Sequence, residues 1–143
     1  MKKIYDYMEA RPQLTGCAAL AAKGLEVMVY AAYLALCLNT WFYCRERMPE
    51  TLLVPLIVFV SGSVIRHLIN APRPFEELGF GPLKNNHTKG YSFPSRHAFS
   101  AAVIAVVFGY HNMAMGLLMG VVCAAICVCR VALIIHWPKD VIA

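Results

Sequence analysis

Charged residues are scarce in this sequence. Aspartate, glutamate, lysine and arginine make up only 15% of its 143 residues, whereas 59% are hydrophobic. Because an average soluble domain has about 25% charged residues, this composition argues against a soluble protein and indicates insertion into a membrane. The length is sufficient for one domain, and we therefore expect a single integral membrane domain over residues 1–143.

Three further absences argue against other classes of function. The basic residues are spread between apolar runs and form no basic, aromatic-rich soluble segment, so the net charge of +5 does not indicate a nucleic-acid partner. The six cysteines form no CxxC pair and lie in apolar surroundings, where cysteine behaves as a small hydrophobe. We therefore expect no metal site. No cleavable apolar core follows the N-terminal MKK, so no secretory signal is predicted.

Long apolar runs are what the sequence has instead. A membrane-spanning helix needs about 20 mostly apolar residues. Four runs predict spans at residues 27–44 (preceded by 24–26), 51–70, 95–111 and 113–135. The shorter patch at 14–22 predicts an N-terminal interfacial helix. Residues 136–143 predict the first turn of a fifth helix, so we expect an all-α membrane bundle that is short at its C-terminus.

Ionisable and polar side chains cluster where these spans begin and end. Such residues are energetically costly near a membrane and are therefore functional candidates. The candidates are Arg66, Arg73, Ser95, Arg96, His97, Arg130, His136 and Asp140. Because successive spans alternate in direction, all of these residues lie at the same membrane face. Converging arginines repel each other unless an anion lies among them, so the pattern predicts a phosphate-like ligand.

The start of the third span favours the same ligand. Ser95 is a favoured helix N-cap residue. The first backbone N–H groups after it have no partner within the helix and, with the helix dipole, can bind an anion. Arg96 and His97 lie in the same turn, where they can add positive charge and a proton donor.

His136 and Asp140 are four residues apart, a spacing that places both on one side of a helix start. A neighbouring carboxylate can fix the tautomer of a histidine and raise its basicity. A histidine so oriented can attack phosphorus while a second histidine, His97, protonates the leaving oxygen. With arginines around the phosphate oxygens, this arrangement needs no metal or other cofactor.

Three motifs carry these residues: RHLINAPRP at 66–74, PSRH at 94–97 and CRVALIIHWPKD at 129–140. They resemble, in order and spacing, the KxxxxxxRP, PSGH and SRxxxxxHxxxD signatures of the type 2 phosphatidic acid phosphatase superfamily. That family includes lipid phosphate phosphatases, undecaprenyl-diphosphate phosphatases and, more distantly, vanadium haloperoxidases. The resemblance extends from about residue 51 to the end of the chain.

The resemblance implies a multi-pass phosphatase of the cell membrane whose partners are the bilayer and a lipid phosphate or isoprenyl diphosphate substrate. Undecaprenyl diphosphate and phosphatidic acid both fit. It implies a phosphohistidine intermediate on His136, with Asp140 as its orienting partner and His97 as the general acid. The implied phosphate ligands are Arg66 (in place of the usual lysine), Arg73, Ser95, Arg96 and Arg130.

Arg96 is the largest departure from the family pattern, because glycine is usual at this position. A long cationic side chain here can extend towards Arg73 and Lys84, which predicts a contact with the second phosphate of a diphosphate. The same change, with the short C-terminus, leaves open a catalytically degenerate member that binds anionic lipid or acts as a membrane scaffold. Vanadate-dependent halide oxidation is a further alternative, but the four apolar runs disfavour it because those relatives are soluble.

Overall fold

In the computed structural model, which describes residues 1–81, 83 and 89–142, every regular element is helical. The predicted all-α class is therefore confirmed for this part of the chain. The helices are α1 (Lys2–Glu9), α2 (Pro12–Tyr43), a one-turn 3-10 helix (Arg45–Arg47), α3 (Met48–Ile69), α4 (Pro74–Glu77), α5 (Arg96–His111), α6 (Met113–Ala132) and α7 (Pro138–Ile142).

Three helices of the described chain are long and apolar enough to cross a membrane: α2, α3 (within the segment Arg45–Glu77) and α6. Many of their apolar side chains face outwards, and Leu20, Leu68 and Val121 are 70%, 77% and 68% exposed. Apolar patches of this extent are typical of lipid-facing surfaces. α5 matches the predicted third span but has only 16 residues, so the count of four spans remains a prediction.

The structure corrects the prediction of a separate interfacial helix at residues 14–22. This patch is the first part of α2, which runs unbroken from Pro12 to Tyr43. Proline is favoured at the first helical position, and it sets the start of the helix. Gly16 and Gly24 each cost only about 1 kcal/mol relative to alanine, which is too little to end a supported helix. Glu26 consequently lies in the middle of α2 rather than at the head of a span.

α5 lies at the centre of the bundle, in contact with α2, α3 and α6. Buried side chains from α2, α5 and α6 form its main apolar cluster: Val29, Ala101, Ile104, Phe108, Met119, Val122 and Ile126. Lipid chains are as apolar as these side chains, so close packing rather than the hydrophobic effect stabilises such contacts in a membrane. The cluster holds the polar ends of α5 and α6 beside α2.

A tight turn folds α6 back against α5, at the break predicted for His111–Asn112. The Met115 N–H donates to Asn112 Oδ1 over 3.1 Å, which caps α6. Immediately afterwards, Gly116 passes so close to α5 that a Cβ atom at this position would lie 2.4 Å from the Cα of Gly109. By contrast, a Cβ at Gly120 would meet nothing within 4 Å. Gly116 and Gly120 form a GxxxG pattern of the kind that allows close helix packing, but only Gly116 is required for the contact with α5.

This difference gives a matched pair of variants for testing the α5–α6 contact. Gly116→Ala should lower the thermal unfolding midpoint in detergent, because overpacking of this kind costs about 1–3 kcal/mol. Gly120→Ala should leave the midpoint unchanged or raise it, since alanine favours a helix over glycine by up to about 1 kcal/mol. Equal midpoints for the two variants would contradict the close approach at Gly116.

Candidate active site

One end of the helix bundle contains a cavity of about 380 Å³. Its lining residues are Arg66, Arg73, Tyr91, Arg96, His97, Arg130, Ile135 and His136. Six of the eight predicted site residues therefore share one cavity, although they come from three separate parts of the sequence. The other two, Ser95 and Asp140, are buried next to it, with 0% and 1% exposure.

The way in which α6 ends explains the spacing between Arg130 and His136. Ile134 lies in the turn that follows α6 and adopts a left-handed backbone conformation, with φ 58°. The N–H groups of Ile135 and His136 then both donate to the Arg130 carbonyl, over 3.2 and 3.4 Å. This conformation is strained for a β-branched residue, at a cost of about 1–3 kcal/mol, and Ile134 holds it while almost fully buried. The turn brings both motif side chains to one cavity.

The imidazole of His136 is held in one tautomer. Its Nδ1 lies 2.9 Å from the carbonyl oxygen of Ser92, and because a carbonyl can only accept, Nδ1 must carry the proton. The lone pair is then on Nε2. Burial, reinforced by the charges of Arg73 and Arg66, lowers the pKa of His136 to about 3. The ring is therefore neutral, with Nε2 able to act as a nucleophile, at physiological pH.

Asp140 lies beside His136, as predicted, but acts on it indirectly. The distance from its Oδ2 to the Nδ1 of His136 is 3.7 Å, which is too long for a hydrogen bond. Oδ2 instead accepts from the Ser92 hydroxyl and from the Trp137 N–H, the latter over 2.9 Å. Asp140 therefore caps α7 and fixes Ser92, whose carbonyl in turn orients the imidazole. Ser92 was not predicted, because a bond to a backbone carbonyl leaves no signal in the sequence.

Backbone carbonyls of the loop before α5 fix two of the predicted phosphate ligands. Nη1 of Arg66 donates to the Pro94 carbonyl over 2.8 Å. Nε of Arg73 donates to the Gly90 carbonyl over 3.1 Å, and the carboxylate of Glu76 accepts from the backbone N–H groups of both Arg73 and Gly90. Each guanidinium has five N–H donors, so most of them are left for a ligand.

Ser95 occupies the N-cap position of α5, as predicted, but its hydroxyl makes no capping bond. Its backbone N–H is tied to the Asp140 carbonyl over 2.7 Å. The buried Oγ has no partner among the residues that the structure describes. Arg96 is exposed and lines the cavity. Lys84, towards which Arg96 was predicted to extend, lies outside the described residues.

One site residue that sequence reasoning missed is Glu26, which reaches the cavity wall from the middle of α2. Its Oε1 lies 2.5 Å from His97 Nε2 and 2.7 Å from Arg130 Nη2. The available signal was a lone carboxylate between apolar residues. It was interpreted as the edge of a span, because the unbroken course of α2 was not anticipated.

The low pKa of His136 should make the protein sensitive to acid. Below pH 6.5 an unfolded chain protonates this histidine, whereas the folded protein, with a pKa of about 3, does not. Its contribution to stability is therefore complete above pH 6.5 and is lost as the pH falls towards 3. At pH 5 the loss amounts to about 2 kcal/mol.

The measurement is the thermal unfolding midpoint in detergent at pH 7 and pH 5. His136→Asn keeps a donor for the Ser92 carbonyl but cannot be protonated, so its midpoint should fall less than that of the unmodified protein. An equal fall in both proteins would show that His136 does not carry this sensitivity.

Comparisons with known proteins agree with this fold and with the motifs. The family model described as "PAP2 superfamily" matches residues 50–143. YbjG of Escherichia coli strain K12, which carries the provisional name undecaprenyl-diphosphatase, is 30% identical over 139 residues. The alignment covers 94% of this chain and 68% of YbjG.

Two crystal structures have a similar fold. The PAP2-type phosphatidylglycerolphosphate phosphatase from Bacillus subtilis matches 99% of this chain and 78% of its own, with a TM-score of 0.61 and 22% identity. LpxE from Aquifex aeolicus matches 92% of this chain and 78% of its own, with a TM-score of 0.62 and 20% identity. The family and the lipid phosphatase class that the motifs predicted are thereby confirmed. The chain belongs to the PAP2 superfamily.

Proposed function

We propose that this protein is a phosphatase of the cell membrane that hydrolyses a lipid phosphate or diphosphate through a phosphohistidine intermediate. The observation that carries this proposal is the shared cavity of His136 and His97, with four arginines in its wall. A neutral imidazole with a free Nε2 is a nucleophile, and the arginines offer the fixed positive charge that a phosphoryl group requires. No residue of this set needs a metal ion for its role.

In the first half-reaction, Nε2 of His136 attacks phosphorus. A P–N bond forms while the bond from phosphorus to the bridging oxygen breaks, and His97 gives its proton to that oxygen. Arg66, Arg73 and Arg130 hold the remaining phosphate oxygens, on which charge is spread in the transition state. The proton remains on Nδ1, and its hydrogen bond to the Ser92 carbonyl keeps the imidazole oriented.

In the second half-reaction, water attacks the phosphorus of the phosphohistidine. His97, now neutral, takes a proton from this water, the P–N bond breaks, and inorganic phosphate leaves. His136 returns to its neutral tautomer and His97 to its protonated form, so the cycle closes. The same arginines stabilise both transition states, because both have the same distribution of charge on the phosphoryl oxygens.

An apolar groove next to the cavity supports a lipid substrate. The groove has a volume of about 450 Å³ and is lined by residues of α2, α3 and α5: Tyr30, Tyr33, Leu52, Pro55, Leu56, Phe59, Ser100, Val103 and Ile104. Ser100 follows His97 by three residues and Tyr30 follows Glu26 by four, so the groove begins about one helical turn from the cavity. A headgroup in the cavity can thus be joined to a hydrocarbon chain in the groove. The substrates in the names of YbjG and the Bacillus subtilis enzyme are also phosphorylated lipids.

The alternative of a degenerate, non-catalytic member rested in part on the arginine at the usual glycine position. Arg96 is exposed and forms part of the wall, and the cavity keeps about 380 Å³. That volume is far above the roughly 30 Å³ that one water molecule occupies in the liquid. Space for a phosphate group therefore remains, which favours the catalytic proposal.

The two histidines can be tested separately by the choice of leaving group. His136→Ala should abolish phosphate release from a short-chain phosphatidic acid and from p-nitrophenyl phosphate, because it removes the nucleophile. His97→Ala should lower hydrolysis of the lipid by about 10²–10⁴-fold but affect the initial release of p-nitrophenol much less, since that leaving group needs little protonation.

Purified protein in detergent, assayed for released phosphate and p-nitrophenol, gives the measurement. Activity retained by His136→Ala would remove the proposed mechanism. Equal losses on both substrates in His97→Ala would remove the acid role of that residue. Catalytic inactivity of the unmodified protein towards both substrates would favour the degenerate alternative.

Arg96 offers a further test of substrate class. We propose that its charge favours diphosphate lipids, because a monophosphate is already held by the other three arginines. A charged hydrogen bond contributes about 1.5–3 kcal/mol, which is a preference of roughly tenfold or more. Arg96→Gly should therefore lower kcat/KM for an isoprenyl diphosphate and leave that for a lipid monophosphate nearly unchanged.

The two kcat/KM values are compared in the same detergent preparation. Equal losses would mean that Arg96 serves the phosphate common to both substrates. An improvement on both would mean that Arg96 obstructs the cavity.

A further inference from the structure

We infer that Glu26 positions the general acid: it orients His97 and couples that residue to the phosphate ligand Arg130. This inference rests on the proposed function and adds to it a residue outside the three sequence motifs. Its basis is one carboxylate oxygen, Oε1, that contacts both His97 Nε2 and Arg130 Nη2, at 2.5 and 2.7 Å. Glu26 also lies outside the segment 50–143 that matches the family model.

The surroundings of Glu26 indicate that its contacts with His97 and Arg130 are not accidental. It lies in the middle of α2, and no other charged residue follows it in the sequence until Arg45. Its side chain is only 18% exposed. A carboxylate withdrawn from water in an apolar span is costly unless a cation neutralises it. Two potential cations contact it here, the predicted general acid His97 and the predicted phosphate ligand Arg130.

The contact with His97 favours one protonation state of the imidazole. A hydrogen bond from Nε2–H to Glu26 leaves Nδ1 as the second site for a proton. Nδ1 is buried and has no hydrogen-bond partner within residues 1–81, 83 and 89–142. A carboxylate on one nitrogen stabilises the protonated ring, and only a protonated ring can give a proton to a leaving oxygen. This is the form of histidine that the first half-reaction requires.

The contact with Arg130 leaves that residue free to bind phosphate. Glu26 occupies only Nη2, and Nε of Arg130 is a buried donor without a partner in the described part of the chain. Because the same carboxylate oxygen of Glu26 contacts both His97 and Arg130, the distance between the general acid and the phosphate ligand is fixed. The leaving oxygen is bonded to the phosphorus that Arg130 helps to hold, so this relation matters for proton transfer.

A purely structural role is the competing explanation, since the Glu26–Arg130 ion pair also joins α2 to α6. The two roles differ in their dependence on the leaving group. Loss of structure or of phosphate binding slows the reaction of every substrate. Loss of proton donation slows only those substrates whose leaving group needs a proton.

The main experiment compares two water-soluble monoesters, hexyl phosphate and p-nitrophenyl phosphate, in single turnovers with enzyme in excess. Release of hexanol or p-nitrophenol then reports the first half-reaction alone. Glu26→Gln keeps an oxygen acceptor for Arg130 but removes the charge that stabilises protonated His97. Its rate should fall about 10–100-fold with hexyl phosphate and less than about threefold with p-nitrophenyl phosphate.

Three more variants separate the two contacts and control for folding. Glu26→Asp restores a carboxylate and should recover part of the hexyl phosphate rate. Glu26→Ala removes the acceptor for Arg130 as well, so it should also raise KM for both substrates. Glu46→Gln neutralises an exposed carboxylate in the 3-10 helix that follows the far end of α2, and its rates should match those of the unmodified protein.

Equal losses on the two esters in Glu26→Gln, or no loss on either, would overturn the positioning role. Thermal unfolding of each variant identifies losses that come from misfolding, and Glu26→Asp then remains as the informative variant. The proposed function fails in a different way: the unmodified protein would release neither alcohol, or His136→Ala would keep its activity.

Discussion

Four arginines, Arg66, Arg73, Arg96 and Arg130, line one cavity wall and repel each other. The surrounding structure depends on the contacts that oppose this repulsion. Like charges in a partly buried wall repel more strongly than in water, because the effective dielectric constant is lower. Arg66 and Arg73 are each tied to a carbonyl of the loop before α5. Arg130 is tied to the carboxylate of Glu26. These anchors join α3, the loop, α6 and α2 at the one place where the helices would otherwise be pushed apart.

The kind of anchor determines what the cavity can bind. A carbonyl oxygen accepts a hydrogen bond but does not cancel a charge, so Arg66 and Arg73 keep the whole of theirs. Within the described residues, the only carboxylate that is paired with a guanidinium group of this wall is that of Glu26; the carboxylate of Glu76 bonds the backbone N–H of Arg73 instead. The cavity wall therefore has an excess of positive charge, which suits the phosphate dianion of the proposed substrate. Donors fixed in advance around the phosphoryl oxygens need little reorganisation during the reaction, which is the main source of electrostatic catalysis.

The sequence predicted those features that depend on local spacing. Apolar runs located the helices and the break at His111–Asn112, because hydrophobic length is the dominant constraint in a membrane. The polar residues at the ends of successive spans predicted a shared site, because spans that alternate in direction bring those ends to the same membrane face. Contacts between distant elements were not predictable in the same way. The hydrogen bond from His136 to the Ser92 carbonyl depends on backbone geometry. The contacts of Glu26 with His97 and Arg130 depend on how α2 is placed along α5 and α6. No local sequence pattern encodes either of these.

The two histidines of the cavity show how one residue type can serve two opposite roles. His136 donates from Nδ1 to a neutral carbonyl, and burial beside arginines disfavours its charged form, so it offers a lone pair. His97 is also partly buried beside an arginine, Arg130, but it differs from His136 in that its Nε2 faces the carboxylate of Glu26. That carboxylate favours a protonated ring, so we propose that His97 offers a proton. A carbonyl partner favours the neutral imidazole and a carboxylate partner favours the protonated one, so the same side chain can serve as a nucleophile in one place and as an acid in another. The assignment of roles therefore follows from the partner of each ring, a carbonyl for one and Glu26 for the other.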